Sequence, residues 1–131
     1  MKISTKGRYA LAIMLDLAMN NPKEYIALKD IATIQEVSIK YLERIIAILN
    51  KAGYVKSSRG NAGGYKLARK PDEYKVGDIL RTAEGDLAPT TCVQEGCHKQ
   101  DSCLTYSFWQ GLDNAIENYV DSKTLEDLIK K

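Results

Sequence analysis

The sequence of 131 residues contains one histidine, three cysteines and no long apolar run, and each scarcity excludes a class of protein. A single histidine, without a nucleophile motif or a glycine-rich nucleotide loop, argues against an enzyme. An odd number of cysteines argues against a disulfide framework. No stretch approaches a membrane span, and residues 1–4 lack the apolar character of a signal peptide, so we expect a cytoplasmic protein.

The charge is divided unevenly along the chain. Residues 1–70 contain 13 basic and 5 acidic side chains, a net charge of +8, whereas residues 71–131 contain 6 basic and 12 acidic side chains, a net charge of −6. A basic half indicates a surface that meets a polyanion, and a chance excess of solvated lysines is the alternative. The acidic half leaves open a protein partner.

Apolar spacing predicts three helices in the first 53 residues. The first covers residues 5–19 and the second residues 27–35, and the third runs from Ser38, a good N-cap residue, to Gly53, which suits a left-handed C-cap. The expected inward positions of the first helix are Leu11, Met14, Leu15 and Ala18. Those of the third helix are Leu42, Ile45, Ile46 and Leu49.

Two short β-like runs, residues 54–57 and 65–68, flank a glycine-rich segment and predict a hairpin. Tyr74 and Lys75 would add a third short strand. A short helix, a tight turn, a capped second helix and then a hairpin is the order of a winged helix-turn-helix. The sequence therefore predicts a mostly α fold with a small β wing, which reads the major groove of duplex DNA.

The predicted DNA contacts lie at the start of the third helix and at the wing tip. Hydroxyl and ammonium groups suit phosphates, arginine suits guanine, and glutamate suits cytosine. A guanidinium beside glycine at the wing tip suits a narrow minor groove. The residues predicted to contact DNA are Ser38, Lys40, Tyr41, Glu43, Arg44, Arg59 and Gly60.

The second half of the chain predicts a helix over residues 76–84 closed by Gly85, an irregular segment over 86–103, and a long amphipathic helix over 104–120. A last short helix begins near Thr124. An apolar stripe on the long helix either pairs with a second copy of the chain or folds back on its own domain, and we favour the homodimer. Its members are Leu104, Phe108, Leu112, Ile116 and Tyr119 or Val120. The expected units are a DNA-binding domain (1–85), a sensor loop (86–103), and a dimerisation helix with its tail (104–131).

The three cysteines fall within twelve residues, at Cys92, Cys97 and Cys103. Thiolates are soft ligands that suit an iron–sulfur cluster or zinc, and both normally need four protein ligands. His98, the only histidine, is the first candidate for a fourth ligand, and a solvated loop histidine is the alternative. Redox-active thiols without a metal are a further interpretation.

Four stretches of the sequence carry a resemblance to a known family. They are MKISTKGRYA at 1–10, RGNAGGYKL at 59–67, VGDI at 76–79 and CLT at 103–105. The chain resembles the Rrf family of bacterial winged-helix transcriptional regulators over nearly its whole length, with IscR-like and CymR-like branches. The resemblance implies a homodimer built through the long helix and, in the IscR-like branch, a 2Fe–2S cluster on the three cysteines.

The resemblance does not supply the fourth ligand. The family's ligating histidine follows the last cysteine by three residues, where this sequence has Tyr106, and an acidic ligand of another branch corresponds to Arg8. We therefore expect a repressor or dual regulator of iron–sulfur cluster assembly or of cysteine and sulfur metabolism, which senses through the cluster. The alternative is a cluster-free repressor controlled by a partner protein or by thiol oxidation.

Overall fold

The computed structural model of the chain describes residues 2–20, 22–58 and 63–130. Within these residues it contains helices, one two-stranded antiparallel sheet and a short 3₁₀ turn, which confirms the mostly α fold with a small wing. The elements in order are α1 (Thr5–Ala18), α2 (Leu28–Gln35), α3 (Ile39–Lys51), β1 (Val55–Ser58), β2 (Gly64–Leu67), a 3₁₀ turn (Pro71–Glu73), α4 (Val76–Glu84), α5 (Thr91–Glu95), α6 (Tyr106–Asp121) and α7 (Leu125–Ile129).

The main core lies between α1, α2, α3 and α4, and all four inward residues predicted for α3 are buried in it. The inward face predicted for α1 is only partly correct. Its buried side chains are Ala10, Ile13, Met14 and Leu17. Leu11, Leu15 and Ala18 are half-buried, because α1 is covered on two sides, and Leu11 packs beside the small second cluster of Val76, Leu80 and Leu87.

The turn between α2 and α3 is tight, as predicted. Glu36 adopts a left-handed conformation with φ 55°, and the next residue, Val37, donates its N–H to the carbonyl of Ala32 at 3.1 Å. The Ser38 hydroxyl oxygen then accepts the N–H of Tyr41 at 3.1 Å, which satisfies one free donor at the start of α3. The chain thus enters α3 at a defined angle.

The wing is an antiparallel pair in which Val55 lies opposite Leu67 and Lys56 lies opposite Lys66. Next to this pair, Ile26 and Tyr65 exchange two backbone hydrogen bonds of 2.8 Å. A Cβ on Gly64 would lie 2.5 Å from the carbonyl carbon of Ile26, so this close approach requires glycine.

The predicted third strand at Tyr74 and Lys75 is wrong, since Lys75 makes only an isolated bridge with Thr124. The Tyr74 side chain is instead buried in the main core. Its hydroxyl donates to the carbonyl of Tyr54 at 2.7 Å and accepts the N–H groups of Ala68 at 3.1 Å and Arg69 at 3.0 Å. One phenol therefore joins both ends of the wing to the core.

The C-terminal part folds back on the first 85 residues. Helix α4 ends at Gly85, with φ +88°, as predicted. The segment 86–103 is not wholly irregular, because it contains α5, and α6 begins at Tyr106 rather than at Leu104. Leu125 in α7 is fully buried in the main core, so the tail of the chain contributes to the folding unit that carries α3.

We expect Tyr74→Phe to lower the free energy of unfolding by about 1–3 kcal/mol, because the Arg69 N–H loses its partner and the Ala68 N–H and Tyr54 carbonyl keep only their mutual bond of 3.2 Å. Urea unfolding followed by circular dichroism measures the loss. Tyr25→Phe removes a hydroxyl that makes no hydrogen bond with the described residues, so it is the matched control and should be neutral. Equal midpoints for Tyr74→Phe and the wild type would contradict this role of the phenol.

Candidate nucleic-acid interface and cysteine segment

The start of α3 presents a polar, solvent-facing surface. Lys40, Glu43 and Arg44 are exposed, and neither cation forms an ion pair with any residue that the structure describes. Ser38 uses its hydroxyl oxygen as the helix cap and keeps the hydroxyl proton, which it can donate to a phosphate. These four residues lie together on the first two turns of α3, as predicted.

Tyr41 differs from the other predicted contacts because its ring is half-buried. It packs edge-on against the ring of Tyr9, with 5.9 Å between the centroids, and it lies against the main core. The ring therefore helps to hold α3 against α1. Its predicted contact with a phosphate depends on the hydroxyl group alone.

One further residue of this surface, Ile39, was not predicted from the sequence. Ile39, the first residue of α3, is 47% exposed although it is apolar. An apolar side chain at the tip of a reading helix suits the methyl group of thymine. Ile39 is not among the inward positions that the apolar spacing of this helix predicts. An apolar residue left outside that pattern was the signal in the sequence for an exposed contact.

The wing tip lies outside the described residues, and this includes the predicted contacts Arg59 and Gly60. The strands that lead to it end at Ser58 and begin again at Gly64.

The three cysteines lie on different parts of the segment 86–103. Cys92 is half-buried on α5 beside the hydroxyl of Thr90 at 3.0 Å, and the sulfur of Cys97 accepts the N–H of Lys99 at 3.4 Å. Cys103 is exposed, and its sulfur lies 3.4 Å from the hydroxyl of Thr105. Hydrogen bonds from the side chain and then the backbone of Thr105 lower the pKa of Cys103, which favours the thiolate.

The structure does not bring the predicted metal ligands together. Across residues 2–20, 22–58 and 63–130, no group of three or more histidine, cysteine, aspartate or glutamate side chains could hold a metal ion. His98 is exposed in a turn, and Gly96, with φ +85°, provides the bend expected before Cys97. The donors fit an iron–sulfur cluster in kind, since three soft sulfurs lie on one short segment, and none of them is fully buried.

The apolar stripe of α6 is divided between two surroundings. Ile116 and Val120 pack against α4 of their own chain. Phe108 and Tyr119 are 63% and 66% exposed, on a face that also carries Leu112. Beside this face lies a mostly apolar groove of about 520 Å³ with Leu80, Leu87, Ala115, Ile116 and Val120 among its lining residues.

Beside these apolar contacts, one guanidinium bridges α4 and α6. Arg81 donates to Glu117 at 2.6 and 3.0 Å and to Asp121 at 2.6 Å, and these carboxylates raise the pKa of Arg81 further. A Cβ on Gly77 would overlap the Asp121 carboxylate and lie 2.8 Å from Val120. The segment 86–103 follows α4 directly and leads into the start of α6, at the end of that helix opposite to Glu117 and Asp121.

Comparison with known proteins gives consistent results. A family model described as "Rrf2: Iron-dependent Transcriptional regulator" matches residues 3–131. The "HTH-type transcriptional regulator IscR" of Aliivibrio salmonicida is 39% identical over 98% of this chain and 77% of its own length.

Two solved structures are similar over almost the whole chain. IscR from T. potens has a TM-score of 0.80 and 44% identity, covering 99% of this chain and 87% of that one. CymR, the global cysteine regulator of B. subtilis, has a TM-score of 0.79 and 41% identity, covering 98% and 95%. In the described part of the chain, no helix has the length and apolar character needed to cross a bilayer.

Proposed function

The chain belongs to the Rrf2 family of transcriptional regulators, and we propose that it binds a duplex operator through α3 and the wing and senses through an iron–sulfur cluster. The observation that carries the DNA-binding surface is the set of exposed, unpaired polar side chains on the first turns of α3. Since its ligand is DNA, we place the protein in the cytoplasm.

In the proposed complex, the start of α3 enters the major groove. Ser38 and Lys40 hold phosphates, Arg44 donates to a guanine, and Glu43 accepts from a cytosine. The wing tip adds Arg59 in the minor groove. Phosphate contacts position the helix, and the contacts with base edges select the sequence.

We propose that the protein acts as a homodimer joined through α6. The face that carries Phe108 and Tyr119 is largely exposed, with Leu112 half-buried on it, and it lies beside the apolar groove against α4. A second copy, related by two-fold symmetry, would bury both and would place two α3 helices on successive half-sites.

The proposed cluster ligands are Cys92, Cys97 and Cys103, with His98 as the first candidate for the fourth. A 2Fe–2S cluster would supply sensitivity to oxygen, nitric oxide or cluster supply. Support comes from the donor chemistry, from the family model described as iron-dependent, and from the similarity to CymR, a global cysteine regulator; we propose that the regulated genes serve iron–sulfur assembly or cysteine metabolism. A cluster-free regulator that uses thiol oxidation is the second candidate, and the exposure of Cys103 to a dissolved oxidant favours it.

A change in the segment 86–103 can reach the DNA-binding surface through the joint between α4 and α6. Arg81 and Gly77 hold the two helices against each other, and α4 packs on α1 and α3. A rearranged segment would therefore bias the relative positions of the two α3 helices in the dimer.

We expect Arg44→Ala to weaken binding to a duplex selected with the wild-type protein by about 1–3 kcal/mol, because a contact with a base edge is lost. Arg59→Ala should weaken it most on A·T-rich flanks. Fluorescence anisotropy at several salt concentrations measures both. Lys51→Ala, at the other end of α3, is the matched control, and wild-type affinity in the Arg44 variant would remove α3 from the interface.

Phe108→Asp should convert the dimer to a folded monomer, since burial of an unpaired carboxylate in the interface costs at least several kcal/mol. Sedimentation velocity at micromolar concentration measures the change. Asn114→Asp places the same charge on another face of α6 and should leave the dimer intact. A monomeric wild type, or a dimeric Phe108 variant, would contradict the proposed interface.

Anaerobic reconstitution tests the cluster, with iron and sulfide counted per chain and DNA affinity measured in parallel. We expect the wild type to take up both elements and Cys97→Ala to take up neither. Unchanged uptake by His98→Ala would discard His98 and keep the cluster. A wild type that takes up no iron, and binds DNA equally with and without iron and sulfide, would replace the cluster with thiol or partner control.

A further inference from the structure

A second cavity, of about 620 Å³, lies between the end of α1, the strands of the wing and the 3₁₀ turn, with Glu126 of α7 at its edge. The described lining residues include no part of α3, so this cavity is separate from the DNA-reading surface at Ser38 and Arg44. Its distinguishing feature is positive charge. The cationic lining residues are Lys56, Lys66, Arg69 and Lys70.

The cationic side chains of the cavity are not neutralised by the protein. None of the four forms an ion pair with a carboxylate among the described residues. The two carboxylates in the lining have other partners, because Glu73 accepts the backbone N–H of Lys70 at 2.8 Å and Glu126 lies 3.5 Å from the ammonium of Lys130. The cavity thus has a surplus of positive charge.

The cations are also held in place. Lys56 and Lys66 lie directly opposite each other in the wing, an arrangement of like charges that is unfavourable unless an anion lies between them. The Lys66 ammonium lies 4.7 Å from the ring centre of Tyr25. The two lysines therefore project on the same face of the wing, one of them braced by an aromatic ring.

Arg69 is exposed, and aromatic rings orient its guanidinium. Its guanidinium lies 4.8 Å from the ring centre of Tyr74 and 5.6 Å from that of Tyr54, and its backbone N–H is bonded to the Tyr74 hydroxyl. A guanidinium fixed over aromatic rings loses little entropy when it binds an oxyanion through two parallel hydrogen bonds.

We propose that this cavity binds a phosphate group, with Arg69 as the bidentate donor and Lys56 and Lys66 as the neutralising charges. The phosphate can belong to a small phosphorylated compound or to the backbone of DNA beside the wing. Occupation would relieve the repulsion between the paired lysines and would hold the base of the wing. The small-compound form does not depend on the proposed iron–sulfur cluster.

The test uses the full-length protein and two probes, inorganic phosphate and pyrophosphate, against chloride at equal ionic strength. We expect both anions to raise Tm. We also expect isothermal titration calorimetry to detect the binding of pyrophosphate. Arg69→Gln should weaken that binding about tenfold or more, since a charged hydrogen bond is lost. Lys56→Gln should weaken it as well, and it leaves the Arg69 packing in place. Lys75→Gln, outside the cavity, is the matched control.

The source of the phosphate follows from the same variants on DNA. Stabilisation by the probes that Arg69→Gln abolishes, with unchanged DNA affinity, assigns a small compound. No stabilisation, together with a salt dependence of DNA binding reduced by about one phosphate contact in Arg69→Gln, assigns the DNA backbone. If neither effect is observed, the proposal is overturned. A wild type that binds no DNA would overturn the proposed function, and the probe titrations on free protein would still decide the cavity.

Discussion

The contact between α4 and α6 holds α6 against the part of the molecule that carries α3. Gly77 lets the two helices approach, since any side chain there would overlap Asp121, and Arg81 bridges the contact with hydrogen bonds to Glu117 and Asp121. The Arg81 side chain is 28% exposed, so the ion pairs add little stability by themselves. Their importance is directional, because a planar guanidinium defines the relative position of two helices in a way that apolar contacts do not.

Two opposite demands are met around this joint. The face of α6 next to α4 carries Ile116 and Val120 inward, whereas Phe108 and Tyr119 stay exposed. The cysteine segment leaves α4 just after this joint and enters α6 at the other end of that helix. Helix α6 packs on α4, which packs on α1 and α3, and these contacts are the route that we propose for coupling the segment to α3.

The wing depends on a different constraint. A wing of two strands has little core of its own, so its base must be attached to the rest of the domain. The buried Tyr74 hydroxyl and the bridge between Ile26 and Tyr65 provide that attachment. The Tyr74 side chain also orients Arg69. The attachment of the wing and the position of a cation in the basic cavity therefore both depend on Tyr74. A ligand in that cavity would act where the wing is attached.

Elements with local signals could be predicted from the sequence. The cap at Ser38, the apolar spacing of α3, the left-handed Gly53 and the tight turn before α3 are consequences of backbone and neighbouring side chains, and the structure has them as predicted. The family was evident for the same reason, because its motifs are continuous in sequence. The prediction of a third strand failed because Tyr74 favours β structure but its side chain is buried in the core, and Lys75 makes only one isolated bridge.

Which helix faces are buried and which stay exposed depends on the tertiary structure. It divided the α6 stripe between α4 and an open surface, buried Leu125 in the core of the first domain, and placed Arg81 between Glu117 and Asp121. It also left Cys92, Cys97 and Cys103 on separate parts of their segment, although their spacing predicts shared ligation. Spacing limits how far apart such groups can be, whereas their convergence depends on backbone turns and contacts between residues that are distant in sequence.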